Sequence, residues 1–284
     1  MNAALKKIRR GLNTKLGFFI FTVLLFAIKS YWAYKTKFNL GVKGTVQQFL
    51  LAFNTLPAAI ILIGIALYFR GRLSYWLMCL INFLLSTWLF ANILYYREFS
   101  DFITFNVIKG SGATSNNLGK SFLGIMRPSD FGVYVDVIII VLILLFHVVR
   151  VDMRYFKIRY AATITVIGFA LFGANLGMAE SNRSQLLTRT FDNNYIVKYL
   201  GLEAYTVYDG VKTTHSSAVK AQASAKDMAP VQRWIKKNYA GPNIQYYGKA
   251  KGKNIIIIHL ESFQQFLIDY KVNGQEVTPN LNKL

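Results

Sequence analysis

Residues 16–34 read LGFFIFTVLLFAIKSYWAY, an apolar run broken by one lysine, Lys29, toward its far end. A hydrocarbon core of about 30 Å needs roughly 20 mainly apolar helical residues, so the run predicts a membrane-spanning helix. The segment before it, Lys6-Lys7-Ile8-Arg9-Arg10, looks like the start of a secretory signal. Its apolar region is long, however, and no small-residue cleavage site closes it, so the helix is expected to stay as an anchor. Residues 48–69, 74–96, 131–149 and 160–178 repeat the pattern, which gives five expected transmembrane helices. The composition agrees: 284 residues that are 54% hydrophobic and 15% aromatic are too apolar and too unevenly patterned for one ordinary soluble domain.

The formal charge of +20 raises nucleic acid as a partner, but the Lys and Arg residues are scattered between apolar blocks and through the tail. A bilayer containing anionic lipid fits them better, and no nucleic acid is expected. The single cysteine, Cys79, lies in an apolar run, which excludes an intramolecular disulfide and a thiolate metal site. Positive charge also orients the spans. Lys6, Lys7, Arg9, Arg10 and Lys15 precede the first, Arg70 and Arg72 follow the second, and Arg150, Arg154, Lys157 and Arg159 follow the fourth. These ends belong in the cytoplasm. The opposing loops hold fewer or more diluted cations, so the expectation is a multi-pass membrane protein. Its N-terminus is cytoplasmic, and everything after Met178 is extracellular.

Ionisable groups within spans are costly and often functional. Lys29 and Asp136 fall toward the outer ends of the first and fourth helices, where they can snorkel or pair with each other. The sharper expectation is a groove opening to the outer leaflet, with these two residues at its edge and a lipid head group entering it. His147 reads as an interface residue, and Asn82 and Asn92 as hydrogen-bonding groups between helices. The loop from Glu98 to Asp130 carries turn chemistry at Lys109-Gly110-Ser111-Gly112 but no P-loop pattern, and is expected to cap the helices.

Residues 1–180 are thus expected to form a five-helix transmembrane domain and residues 181–240 an extracellular linker. In the linker, Leu186, Leu187, Phe191, Ile196, Val197 and Leu200 have spacings that suit an amphipathic helix, which Leu200-Gly201-Leu202 breaks. The polar, small-residue tract 213–229 is the candidate exposed hinge. Within it Ala221, Ala223, Ser224 and Ala225 form small-x-small patterns of the kind signal peptidase accepts, with cleavage after Ala223 or Ala225.

Residues 241–284 contain Asn254-Ile255-Ile256-Ile257-Ile258-His259-Leu260, ending in Glu261-Ser262. A run this apolar and this short predicts a strand buried on both faces of a parallel sheet. Residues 262–269 read as a helix after it, and Asn273-Gly274 as a turn. Sites in open α/β sheets gather at the carboxyl ends of strands, where Glu261 sits as a candidate metal ligand; the plain alternative is that it caps the following helix. His259 shares its strand face by period two and is read as a packing or hydrogen-bonding residue. The fold class is therefore an α-helical polytopic membrane domain plus the first βα unit of an α/β domain.

This last segment, with Val277-Thr278-Pro279-Asn280-Leu281 after it, resembles the start of the alkaline phosphatase and sulfatase superfamily. The closer resemblance is to the lipoteichoic acid synthase family of Gram-positive bacteria. It covers the whole chain: the spans, the linker Arg189-Thr190-Phe191-Asp192-Asn193-Asn194-Tyr195-Ile196-Val197-Lys198-Tyr199-Leu200-Gly201, the Ala-x-Ala tract, His259-Leu260-Glu261-Ser262-Phe263-Gln264, and Val272-Asn273-Gly274-Gln275-Glu276-Val277-Thr278-Pro279. The resemblance implies a sulfatase-like extracellular domain and a transferase that moves glycerol phosphate from phosphatidylglycerol onto a growing lipoteichoic acid chain, through a phospho-threonine type intermediate. It further implies Mn²⁺, with Glu261 as one ligand and the nucleophilic threonine beyond Leu284; Thr278 belongs to an earlier segment. On that reading this chain alone has no turnover. Three alternatives stay open: the related primase, a phosphoethanolamine transferase, against which Glu261-Ser262 and the linker stand, and a nonenzymatic membrane anchor or scaffold.

Overall fold

The computed structural model describes residues 11–111, 124–188, 192–222, 225–241, 243–254, 257–260 and 263–283. It divides into two compact units, Met1–Gln222 and Ala223–Leu284.

In the first unit five helical stretches are long and apolar enough to cross a membrane: Lys15–Thr36, Gly44–Tyr68, Gly71–Phe99, Pro128–Leu145 and Ile158–Asn182. The five expected spans are all present. Span 1 is one helix, α1 (Lys15–Thr36), begun by Thr14, whose side chain accepts the Gly17 N–H. Along it Ile20, Leu24 and Ile28, one turn apart, are 46, 49 and 65% exposed, while Phe19, Val23 and Phe26 are buried. That division is a lipid-facing stripe beside a packed one.

Span 2 is broken into α2 (Gly44–Phe53), α3 (Thr55–Gly64) and a 3₁₀ turn (Ile65–Tyr68). Pro57 explains the break: it has no N–H to give the carbonyl of Phe53, and its ring crowds that carbonyl. Span 3 is α4 (Gly71–Phe99), followed by the short α5 (Phe105–Ser111). Span 4 joins a 3₁₀ turn (Pro128–Tyr134) to α6 (Val135–Leu145). It stops short of the predicted Val149, because His147 takes a left-handed φ of 50° that ends a helix.

Span 5 is α7 (Ile158–Asn182). It meets span 2 at Gly168, where a Cβ would lie 2.7 Å from Ile61 Cγ1 and 3.1 Å from Ile60 Cγ2. Only glycine lets the two helices come this close.

The first unit does not end at residue 180. After the turns at 184–188 come α8 (Asn193–Leu200) and α9 (Leu202–Gln222), and Ile196, Val197, Tyr199, Leu200, Leu202 and Tyr205 are buried in one cluster with Tyr34, Leu50, Leu89 and Phe102. The expected single amphipathic helix from Leu186 is shorter, and Phe191 lies outside the described residues. The break at Gly201 is present, at φ +88°. The expected hinge at 213–229 is helical up to Gln222 and again from Ala225, in α10 (Ala225–Asn238). Ala218, Lys220, Ala221 and Gln222 are good helix formers, which accounts for the difference.

The second unit holds α10, a 3₁₀ turn (Gln265–Leu267) and a hairpin of β1 (Lys271–Val272) with β2 (Gln275–Glu276). The pairing is antiparallel, Lys271 opposite Glu276. Asn273 and Gly274 turn it with φ of 50° and 81°, the positive pair that a two-residue hairpin loop demands. The Ile-rich strand is a correction. Ile257 and Ile258 are 87 and 63% exposed, and none of the described residues from Asn254 to Leu260 lies in a strand. A parallel strand buried on both faces needs neighbouring strands and covering helices, and the described part of this unit offers only the hairpin. The helix expected at 262–269 is likewise reduced to the three-residue 3₁₀ turn.

Candidate functional site

The membrane unit carries three polar loci where spans 1 to 4 and α9 meet. The first joins Lys29 of α1 to Asp136 of α6. The ammonium donates to both carboxylate oxygens, at 2.9 and 2.8 Å, to Asn82 Oδ1 at 3.1 Å and to Ser86 Oγ at 2.6 Å. The amide of Asn82 donates to Asp136 Oδ2 at 2.8 Å, and the Phe26 ring lies 5.0 Å from the ammonium. Both charged side chains are almost wholly covered, at 6 and 7% exposure. They therefore form a clasp between spans 1, 3 and 4 and do not edge an open head-group groove. Packing of the three helices closes the position that the groove required, and the ion pair is the expectation that stands. Asn82 has the inter-helix role expected of it. Asn92 instead bonds its own helix at Trp88 O and accepts the Ile103 N–H.

The second locus centres on Asp130, which is fully buried. Arg97 grips it with two parallel bonds of 2.8 and 2.7 Å, Lys37 donates to it at 2.9 Å, and the Arg127 N–H donates at 2.8 Å. Lys37, Arg97 and Arg127 also line a cleft of about 450 Å³ with Asn39 and Ser100. The Lys37 and Arg97 side chains on one carboxylate, with Arg127 also lining the cleft, leave net positive charge there, suited to holding an anion. Sequence reasoning counted these cations as diluted loop charges and missed the aspartate. Its one signal was a single acid flanked by Pro128 and the start of an apolar run.

The third locus ties α8 and α9 to spans 1 and 2. At the break in span 2, Asn54 donates to Val197 O at 3.3 Å and Lys198 O at 2.9 Å. The Tyr34 hydroxyl accepts the Leu202 N–H at 2.9 Å. Gly201 fits between them, where a Cβ would approach Asn54 O to 3.2 Å. Trp88 of span 3 donates to Thr206 of α9 at 2.9 Å. Next to these contacts Glu203 is buried with Oε2 lacking a hydrogen-bond partner. Burial pushes its carboxyl above the ordinary carboxylate range, against the nearby Lys29 charge and the Tyr34 hydroxyl, which pull it down.

Glu261 lies outside the described residues, as do Ser262, Ala223 and Ser224. His259 and Leu260 are exposed. Ala221 sits in the last turn of α9 and Ala225 opens α10. Thr278 donates to Leu267 O at 2.8 Å. Among the described residues no three His, Cys, Asp or Glu side chains gather closely enough to hold a metal ion.

Against known families, residues 1–222 match the model of the lipoteichoic acid synthase N-terminal domain. That range ends where the first compact unit ends. The chain is 51% identical over 272 residues to lipoteichoic acid synthase 1 of Bacillus subtilis (strain 168), covering 95% of this chain and 42% of that protein. It is 43% identical over 278 residues to the lipoteichoic acid synthase of Staphylococcus saprophyticus, covering 98% and 43%. With the Staphylococcus aureus (strain USA300) enzyme of that name the figures are 43% over 268 residues, 94% and 41%. The chain spans about two fifths of the length of these relatives. No solved structure matches it.

Proposed function

We propose, from the premise that this chain belongs to the lipoteichoic acid synthase N-terminal domain family, that it is the membrane part of a glycerol phosphate transferase. The full protein takes glycerol phosphate from phosphatidylglycerol, adds it to a growing polyglycerolphosphate chain and leaves diacylglycerol in the bilayer. The observation that carries this reading is the 51% identity over 272 residues to a lipoteichoic acid synthase, which runs past the membrane unit into the segment with Glu261. The Lys and Arg distribution supports a cytoplasmic N-terminus, with α8, α9 and the second unit on the extracellular side.

In this proposal the membrane unit anchors and positions, and the chemistry belongs to the domain that residues 241–284 begin. Glu261 supplies one anionic oxygen toward a divalent cation, Mn²⁺ in the family resemblance. A single carboxylate does not make such a site, so we assign no step to the metal and expect this chain alone to have no turnover. Cleavage by signal peptidase after Ala223 or Ala225 is a further proposed step. It would part the chain at the boundary between the two units.

The test is full-length protein in proteoliposomes with labelled lipid. Phosphatidylglycerol is expected to yield diacylglycerol and a lengthening polyglycerolphosphate. Release from phosphatidylethanolamine in preference would identify a phosphoethanolamine transferase. Transfer of a single unit to a glycolipid would identify a primase. Either outcome overturns the proposal.

A further inference from the structure

The cleft beside Asp130 lies where spans 1, 3 and 4 meet at one end, lined by residues at the close of α1 and α4 and at the start of span 4. Its volume of about 450 Å³ falls in the range of small-molecule sites. Its lining holds Lys37, Arg97 and Arg127 and no acidic residue. Asp130 has no exposed side-chain surface, whereas the Lys37 and Arg97 side chains keep 10 and 19% of theirs and Arg127 is exposed. The carboxylate thus orders two cations without covering the surface they present. It also leaves donors over. Among the described residues Lys37 donates two of its three N–H groups, to Asp130 and Ser129, and Arg97 three of its five, to Asp130 and Ile125 O. Exposed aromatic side chains flank the cations. The Trp32 ring lies 5.3 Å from the Lys37 ammonium, and Phe99 and Phe131 adjoin Ser100 of the cleft and Asp130 in sequence; all three are exposed. Aromatic residues at the ends of membrane spans mark the level of the lipid head groups.

We propose that this cleft binds the phosphodiester of an anionic glycerophospholipid, with Lys37, Arg97 and Arg127 as the phosphate-binding groups. The level selects a lipid. The ends of three spans and their exposed aromatic side chains put these cations among head groups, where the phosphodiester is the anion that every phospholipid carries. The donors select phosphate: a guanidinium pairs with phosphate oxygens through parallel N–H bonds, and an ammonium adds a point charge. The net charge selects among phospholipids. Asp130 balances one of the three cations, so a head group with its own ammonium, as in phosphatidylethanolamine, meets repulsion there. A glycerol head group does not.

The binding does not rest on the proposed function, whereas a use of the cleft in holding phosphatidylglycerol for the transferase does. The test therefore measures binding alone, on full-length protein in phosphatidylcholine nanodiscs. The probes are phosphatidylglycerol with a photoactivatable group at the head-group end of one acyl chain, and the matched phosphatidylethanolamine. Phosphatidylglycerol is expected to label peptides containing residues 36–39 and 97–100 severalfold above phosphatidylethanolamine. Arg127→Gln keeps the backbone N–H that Asp130 accepts, so the thermal unfolding midpoint is expected to stay near that of the wild type. Its phosphatidylglycerol labelling is expected to fall about tenfold, the size of one lost hydrogen bond to a charged group. Lys35→Gln removes an exposed cation at the same end of span 1 that does not line the cleft, and is expected to leave labelling unchanged. An excess of inorganic phosphate is expected not to displace the lipid. Equal labelling by the two lipids, no loss in Arg127→Gln, or an equal loss in Lys35→Gln, which would mean diffuse attraction to a basic surface, would overturn the proposal. Displacement by inorganic phosphate would make this a site for the free anion and overturn it too. Loss of the lipid preference with transferase activity intact refutes only the cleft; an intact preference in a protein without transferase activity refutes only the function.

Discussion

Removing one member of the Lys29–Asp136 pair should cost far more than removing both. In Asp136→Leu the ammonium keeps only Asn82 Oδ1 at 3.1 Å and Ser86 Oγ at 2.6 Å, at a position about 93% covered in the native packing. A buried charge left without its counter-ion costs about 3–5 kcal/mol, and Lys29→Met, which strands Asp136 with the Asn82 amide, should cost a similar amount. The double variant Lys29→Met/Asp136→Leu removes both charges and replaces them with apolar groups of similar bulk. Its remaining cost is the two buried polar neighbours, Asn82 and Ser86, at about 1–3 kcal/mol for a lost partner. Ser86 keeps its own bond to Asn82 O at 2.6 Å, which places the double variant in the lower part of that range. The double variant should therefore be more stable than either single one, with a coupling energy of at least about 3 kcal/mol. Equilibrium unfolding in mixed micelles, followed by helical circular dichroism, measures all four corners of the cycle. Single effects that add to within about 0.5 kcal/mol would mean that the two charges do not act as a unit, and the clasp reading fails.

Three further outcomes follow from the packing and burial already described. Gly168→Val should lose about 1–3 kcal/mol by forcing spans 2 and 5 apart at Ile61, read by the same unfolding assay; no loss would contradict the close approach. Asn54→Ala removes the side-chain donor to the carbonyls of Val197 and Lys198, of which Val197 O keeps the Gly201 N–H, and should raise hydrogen exchange across residues 193–200 while costing about 1–3 kcal/mol; unchanged exchange would separate Asn54 from the docking of α8. Burial raises the folded Glu203 carboxyl above its ordinary value of 4.5, with buried Oε2 unpartnered. The folded state therefore holds its proton more tightly, and this contribution is complete below 4.5 and lost as pH rises through the folded value. Stability of wild type relative to Glu203→Gln should fall as pH rises above 4.5, and parallel pH profiles would refute the assignment.

The membrane spans were legible because a helix in lipid satisfies its own backbone and needs only length and apolarity. Lys29 and Asp136 were legible as conspicuous charges, and their pairing as one of two outcomes. Whether they faced a groove or each other depended on how spans 1, 3 and 4 pack, which no local pattern records. Asp130 escaped notice because its partners Arg97 and Lys37 lie 33 and 93 residues away in sequence. The docking of α8 was hidden for the same reason, since it hangs on Asn54 at the Pro57 break, 144 residues before Lys198. The Asn273-Gly274 turn read correctly because its backbone demand is local. The Ile-rich strand did not, because a strand's burial is supplied by neighbours rather than by its own residues.

The central proposal is that this membrane unit serves a transferase for which Glu261 is one metal ligand. Labelled phosphatidylglycerol in proteoliposomes, with Mn²⁺ and full-length protein, tests it most directly. Wild type is expected to release labelled diacylglycerol and lengthen polyglycerolphosphate, and Glu261→Ala, folded to the same extent, is expected to do neither. Equal diacylglycerol release from both proteins, or none from the wild type, would contradict it.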